Sequence, residues 1–493
     1  MVIALAGTIR RAAAAGDQCA RRGTKNHLRK DVHRLRSFAV HPLPGKHKAQ
    51  QIVPFGGTSP ISIWVAAAAT MACEGRSRAM SLLSDRIGSL GEMVSTEPEV
   101  LDKHACDWSG VNRQLPLAVL RPRTVEEVSA ALRLCHEMNM AVVPQGGLTG
   151  LAGGATPRAG QVVLSLERLR GIEELDRDGA TMTVLAGTPL ETAQKAAEEA
   201  GLYLALDIGS RGSCQIGGNV ATNAGGNHVI RYGMARAQVL GLETVLADGT
   251  ILTALTKVMK NNAGYDLNQL FIGSEGTLGI VTRVVLRLHA QPRSKSTALI
   301  ATTSYDATVR LLRRLQTALG DISAFEAMWP GFYRYVTDHP ATGVKPMADH
   351  HPFYALAEFQ GSEPERDGAR LEESLGASIE AGEALDALIA QSEREARSFW
   401  KIREGEALDL LPYLINFDVS APTVQLGGLA ERLATALTAR WPEGRFFIYG
   451  HIGDGNIHLS AWAGGTLDSV AHEMDEIVYG EVRRIGGSIS AEH

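Results

Sequence analysis

The sequence predicts an α+β fold in two lobes, and three observations carry that reading. Up to about Leu288, short apolar runs alternate with capped amphipathic helices. Three glycine-rich stretches interrupt that alternation, which marks loops that do more than connect elements. From Gln291 to about Arg440 long charged helices take over and glycine clusters become few. At 493 residues the chain also exceeds what one hydrophobic core usually supports. The expected parts are a basic extension over residues 1–79 outside the folded body, a first domain over 80–290, a cap domain over 291–440 and a C-terminal segment over 441–493.

In the first lobe, Thr124 and Glu127 make a Thr-x-x-Glu capping box that opens a helix, with Val128, Ala131, Leu132 and Cys135 on one face. It runs into AVVPQGG, a short apolar strand broken by Pro144 and the glycines. QVVLSL (161–166) and TMTVLA (181–186) read as strands, and Thr188-Pro189-Leu190-Glu191 starts a second helix that Gly201 ends. GIVTRVVLRL closes the lobe near Leu288. Beyond it, helices are expected over Thr308–Leu319, Arg370–Glu380 and Glu393–Leu411.

Composition removes several functions. The five cysteines, Cys19, Cys73, Cys106, Cys135 and Cys214, are scattered and form no CxxC pair. That argues against a disulfide framework or a thiolate zinc site and suits a reducing compartment, so a cytoplasmic location is expected. Residues 1–79 hold thirteen Lys or Arg against three acidic residues, or +10, and the whole chain carries −5, which leaves −15 on the remainder. That head reads either as sequence upstream of a true start at Met80, the preferred reading, or as a transit peptide. The acidic body has no basic, aromatic-interleaved stripe, so nucleic acid is not an expected partner. The apolar run Ile61 to Cys73 is too short to span a bilayer as a helix.

The glycine-rich stretches are PQGGLTGLAGG (144–154), GSCQIGGNVATNAGG (212–226) and GYDLNQLFIGSEGTLGI (264–280). Glycine at this density lets backbone approach a ligand and turn successive N–H groups toward one anion, and a pyrophosphate is the natural guest. No G-x-G-x-x-G sits between a strand and a helix, so a nicotinamide dinucleotide on a Rossmann fold is disfavoured. These stretches closely resemble the flavin domain of the vanillyl-alcohol oxidase type, in the branch of FAD-linked D-2-hydroxyacid dehydrogenases. The match covers roughly Trp108 to His493 and is strongest from Gly212 to Gly279. The resemblance implies that Pro144, Gln145, Gly146, Gly147, Leu148, Thr149, Gly150 and Gly153 surround the FAD pyrophosphate. It places Gly217, Gly218, Asn219, Thr222, Asn223, Gly225 and Gly226 along the flavin, and Glu275, Gly279 and Ile280 at the adenine end. The first loop has no histidine where some relatives attach the flavin, so non-covalent FAD is implied.

A separate motif, GHIGDGNIH, spans residues 450–458. If Asp454-Gly455 is a two-residue hairpin turn, His451 faces His458 with Cβ atoms about 5 Å apart, close enough for one metal ion. Spacing alone leaves open a pair of solvent-bonded or core histidines. The resemblance implies that His451, His458 and Glu492, from the terminal Ser-Ala-Glu-His, bind a divalent metal, usually zinc. It further implies His493 as the catalytic base and Arg403 as the arginine that grips the substrate carboxylate; sequence alone equally allows a surface arginine in a salt bridge. Asn416 and Ser460 complete the expected substrate contacts.

Asn416 stands where the family commonly has a lysine, which weakens a dicarboxylate substrate such as D-2-hydroxyglutarate and favours a D-lactate-like acid. Relatives continue past the terminal motif, so a truncated chain is expected. The expected function is oxidation of a D-2-hydroxy acid, with a quinone, a cytochrome or an electron-transfer flavoprotein as electron acceptor and a homodimer left open. The alternatives are a D-2-hydroxyglutarate dehydrogenase and a non-catalytic flavoprotein subunit of a glycolate-oxidase-like complex.

Overall fold

The computed structural model describes residues 90–320, 322–464 and 467–489. The chain divides into two units, Met1–Gly91 and Glu92–His493, and the described residues of the second hold three larger sheets and one two-stranded sheet. The basic extension, the start at Met80 and the terminal Glu492 and His493 lie outside the described residues.

The first sheet is built from β1 (Val94–Ser95), β2 (Val119–Leu120), β3 (Val142–Gln145) and β4 (Val162–Ser165) in the order β1-β2-β4-β3. Both β2 and β3 run parallel to β4, which requires the crossover helix Val125–Glu137. That helix starts as its capping box predicts: Thr124 accepts from the Glu127 N–H at 3.2 Å, and Val128, Ala131, Leu132 and Cys135 are buried. Pro144 does not break β3 as expected. It lies inside the strand opposite Leu164, and β3 is an edge strand, where a missing N–H costs no ladder bond.

The second sheet takes β5 (Ile172–Asp176) and β6 (Thr181–Leu185); a short β7 (Leu202–Tyr203) intervenes before β8 (Val239–Val245), β9 (Ile251–Ala254) and β10 (Ile280–Arg287) complete it. Its order is β5-β6-β10-β8-β9, antiparallel throughout. A separate pair joins β7 to β11 (His289–Ala290).

The third sheet contains β12 (Ser294–Thr302), β13 (Ile322–Met328), β14 (Phe353–Gly361), β15 (Ala384–Ile389), β16 (Ile415–Ser420), β17 (Arg445–Gly450) and β18 (Asn456–Trp462). Its order is β15-β12-β14-β13-β17-β18-β16. The segment after Trp441, set apart in the sequence, thus contributes β17 and β18 to the interior of this sheet. Helices Tyr305–Leu319, Pro364–Glu380 and Thr423–Arg440 cover one face, where Leu311, Leu315, Leu371, Leu429 and Leu433 meet Phe325, Ala357 and Leu459 in the larger core. The other face carries Met328, Tyr354 and Leu356 against Phe332, Phe399 and Ile402. The helix expected over Glu393–Leu411 stops at Glu404, because Gly405 adopts a left-handed φ of 68° and a short 3₁₀ turn, Glu406–Leu410, follows.

Phe325 is 1 % exposed at the centre of the larger core. Phe325→Ala should cost about 3–5 kcal/mol, read as a lower unfolding midpoint in denaturant; an unchanged midpoint would show that the face is loosely packed.

Candidate active site

Alternate residues of a strand point to opposite faces. Phe325, Ala357, Phe417, Ile448 and Leu459 belong to the larger core. Their neighbours Glu326, Glu358, Asp418, Tyr449 and His458 therefore share the opposite face, over which the helix Glu393–Glu404 packs through Phe399 and Ile402. Arg403 falls in the last turn of that helix and is 6 % exposed.

These groups form one network. The Arg403 Nε donates to Glu326 Oε2 at 2.5 Å, and its Nη2 lies 3.2 Å from His451 Nε2 and 3.0 Å from His458 Nε2. Glu326 Oε1 takes the His451 Nδ1 at 2.7 Å, and Asp418 Oδ1 takes the His458 Nδ1 at 2.5 Å. Because a guanidinium can only donate, this pattern assigns Nε2 of each ring as acceptor and Nδ1 as the protonated nitrogen. The Arg403 guanidinium also stands 5.0 Å over the Tyr449 ring. Burial pushes the Glu326 carboxyl up, but Arg403 and then His451 outweigh it and hold the pKa at about 2. Arg403 is thus neither a surface arginine nor an exposed salt bridge.

The histidines meet by a register different from the expected one. In the β17–β18 hairpin His458 faces Tyr449, and residues 451–455 form a wider loop closed by the Asn456 N–H on the His451 carbonyl at 3.1 Å. A Cβ on Gly450 would press on Ile457 Cα at 2.7 Å, so the strands approach too closely there for a side chain. His451 nevertheless folds back, and the two rings lie 5.0 Å apart at 81°. Asn416 accepts from Ser460 Oγ at 2.7 Å, on the same side of the sheet.

The three glycine stretches converge. A Cβ on Gly147 would fall on the Ser213 carbonyl oxygen; one on Gly276 would press on Pro144 Cγ at 2.5 Å, and one on Gly154 would touch Glu275 Oε2 at 3.5 Å. Gln145 is buried, with its amide on the His104 and Ala155 carbonyls. From Gly146 to Ala152, no backbone N–H donates to another described residue. A run of unpaired amides beside Gly218, whose missing side chain faces open space, suits an anionic dinucleotide. Asn223 and Glu275 hold positive φ, 53° and 52°, and the Glu275 N–H bonds the Ala221 carbonyl at 2.8 Å. Thr222 Oγ1 returns to the Gly218 carbonyl, Asn219 Nδ2 approaches Cys214 Sγ at 3.6 Å, and Gly217 and Gly279 pack against Ala186 and Thr244.

Sequence reasoning missed Glu326 and Asp418, the carboxylates that orient the two histidines. A single Glu inside the apolar ISAFEAM is the signal that could have exposed the first. Among the described residues, no group of three His, Cys, Asp or Glu side chains is arranged to hold a metal.

Comparison with known proteins defines the class first. Residues 116–255 match the FAD binding domain model and residues 291–493 the model of FAD linked oxidases, C-terminal domain. The solved structure of p-cresol methylhydroxylase with substrate bound aligns at a TM-score of 0.64 and 14 % identity, over 84 % of this chain and 88 % of that one, which gives the fold. The mitochondrial D-2-hydroxyglutarate dehydrogenase of Bos taurus is 39 % identical over 404 residues, 81 % of this chain and 73 % of its own. A mitochondrial protein of Schizosaccharomyces pombe, named among the D-lactate dehydrogenases, is 36 % identical over 83 % of this chain and 80 % of its own. The chain belongs to the FAD-linked D-2-hydroxyacid dehydrogenases of the vanillyl-alcohol oxidase type, oxidoreductases that act on CH–OH donors.

Gly147→Ala should separate the first and second loops, because its methyl group has no room at Ser213. The purified variant is expected to lose most of its FAD, read as the ratio of flavin to protein absorbance; full flavin occupancy would show that the loops can part without consequence.

Proposed function

We propose that the chain oxidises a D-2-hydroxy monocarboxylate of the D-lactate class to the 2-oxo acid, using non-covalent FAD and a divalent metal, with zinc as the first candidate. The observation that carries this is the pairing of Arg403 with two histidines whose Nε2 atoms converge on one point. Each of those rings has its Nδ1 on a carboxylate, the arrangement that supports histidine ligands in metal sites, and a metal there would take over the Nε2 lone pairs that the Arg403 Nη2 occupies. His451 and His458 would hold the metal, with Glu492 as third ligand. FAD supplies the acceptor for the α-hydride, and the metal supplies Lewis acidity toward the substrate hydroxyl.

The chain's own residues do the rest. Arg403 offers guanidinium N–H groups to the substrate carboxylate, and Glu326, which takes Nε, keeps the guanidinium plane from rotating. Its Tyr449 neighbour, raised in pKa by burial, stays a neutral wall behind it. His493 takes the hydroxyl proton in this proposal. Asn416, neutral and paired with Ser460, offers no cation for a second carboxylate. The names of relatives such as the bovine protein support D-2-hydroxyglutarate as the alternative substrate. Bleaching of the flavin under anaerobic conditions decides: D-lactate should reduce it faster at equal concentration, and preference for D-2-hydroxyglutarate would overturn the monocarboxylate reading.

Leu148 and its neighbours offer no histidine for a covalent flavin bond. No helix among the described residues is long and apolar enough to cross a membrane. Cys106, Cys135 and Cys214 are free thiols, which suits a reducing compartment; the cytoplasm belongs to this reading, and the relatives' mitochondrial names give its alternative. The domain limits at about 290 and the cap assignment from 291 belong to the same reading, as do a quinone, cytochrome or electron-transfer flavoprotein as acceptor and a homodimer.

Arg403→Ala would strand the buried Glu326 charge, a change that typically costs 3–5 kcal/mol of stability on the order given for buried pairs. Arg403→Lys keeps the counter-charge and loses the fork. It should lower kcat/KM by about 2 kcal/mol, some thirtyfold, with FAD retained. Equal kinetics would assign the carboxylate to another cation.

His458→Ala should bind FAD normally yet fail to reduce it with substrate, and a strong chelator should do the same to the unmodified protein. Added zinc or manganese should restore only the latter. Full reduction by a metal-free variant would make the histidines structural.

A further inference from the structure

Glu358 sits in the middle of β14 with no exposed surface, and five side chains converge on its carboxylate. Oε1 accepts from His228 Nε2 at 3.2 Å, Ser323 Oγ at 3.0 Å and Gln360 Nε2 at 3.2 Å. Oε2 accepts from Trp400 Nε1 at 3.1 Å and pairs with Lys295 Nζ at 2.7 Å. Burial acts to raise its pKa, but the His228 hydrogen bond and the Lys295 charge hold it at about 2, so the carboxylate is ionised at neutral pH.

Two of these partners come from the elements that matter most for chemistry. His228 is the N-cap of the helix Val229–Tyr232 and follows the second glycine stretch by two residues. Its Nδ1 is held in turn by the Tyr203 hydroxyl at 3.1 Å. Trp400 lies on the helix Glu393–Glu404, three residues before Arg403 and on the same side of it. One buried carboxylate therefore ties the end of the loop read as lining the flavin to the helix that carries the substrate arginine.

We propose that Glu358 is a positioning residue for hydride transfer, fixing the separation between the flavin-lining loop and Arg403 and hence between flavin and substrate α-carbon. The inference rests on Arg403 as the carboxylate-binding residue. Its force comes from the steep dependence of transfer on geometry, where a 1 Å misplacement costs on the order of a hundredfold. A bridge of charge-assisted hydrogen bonds fixes direction as well as distance, which apolar packing at the same spot does less well.

The test uses the full-length, FAD-loaded protein with D-lactate as probe and two independent readouts. In Glu358→Gln, which keeps the shape and removes the charge, amide hydrogen exchange should rise together in residues 227–233 and 393–404. The limiting rate of flavin reduction should fall about tenfold or more, while the half-saturating D-lactate concentration moves by less than about threefold. His228→Gln and Trp400→Phe each remove one arm of the bridge and carry the test should Glu358→Gln not fold. Each should lower the limiting rate, and the double variant should lose little more than the worse single one, because either cut already opens the bridge. Exchange rising in one segment alone, arms that add as independent changes, or an unaltered limiting rate would each overturn the proposal. If no D-2-hydroxy acid bleaches the unmodified protein, the proposed function fails, and the exchange result still decides whether the bridge exists.

Discussion

A carboxylate with no water around it must be paired, and that requirement at Glu326 organises the site. Removing an ion from water costs several kcal/mol even after the protein relaxes, so both oxygens have to find donors. One takes the Arg403 Nε and the other the His451 Nδ1. Each bond has a consequence beyond neutralisation. Fixing Nε of a planar guanidinium aims Nη2 at the two imidazoles, and occupying Nδ1 of His451 presents its Nε2 to the same point. Direction, tautomer and charge in the site thus follow from one buried group. Asp418 repeats the device for His458.

Much of the scaffold was legible because it is written in local signals. The capping box at Thr124, the strands at 161–166 and 181–186 and the closing run of the first lobe each contain their own instruction within a few residues. The glycine stretches were legible as ligand loops because their density exceeds what turns need. The failures were of another kind. Asp454-Gly455 signalled a two-residue turn, yet the loop is wider, since the Asn456 N–H is taken by the His451 carbonyl and Gly450 lies against Ile457. The helix bearing Arg403 was drawn too long because charged periodicity continues past Gly405 into a 3₁₀ turn of similar composition. Glu326 and its partners lie 77 and 125 positions apart, a pairing that no local pattern encodes.

The two lobes solve opposite problems. A dinucleotide brings its own charge and needs donors that strands and helices have already used, and the amides from Gly146 to Ala152, which donate to no other described residue, would answer that need. A small hydroxy acid would need a few side chains held rigidly, and the third sheet offers them, since period-two alternation separates a continuous core on one face from a polar row on the other. Phe417 and Val419 in the core, alternating with Asn416 and Asp418, show the principle in one strand.

Stability does not account for two ionised carboxylates in the interior of that sheet, because apolar residues of similar volume usually pack there at no loss. Geometry does. Glu326 lies opposite Leu356, and Glu358 lies opposite Ala324, so the two residues are diagonal neighbours on one face, at strand positions about 7–8 Å apart. Above them Arg403 and Trp400 are one turn apart on a single helix, and each reaches a different carboxylate. One anchor would let that helix roll about its axis; two anchors fix its rotation as well as its height. Each carboxylate then spends its remaining lone pairs on a different neighbour, His451 in the loop after β17 and His228 beyond the second glycine stretch. Arg403, the histidine pair and the end of the second glycine stretch are thereby referred to the same two strands, and a shift in any one of them has to break an ion's hydrogen bond in a place where water cannot replace it.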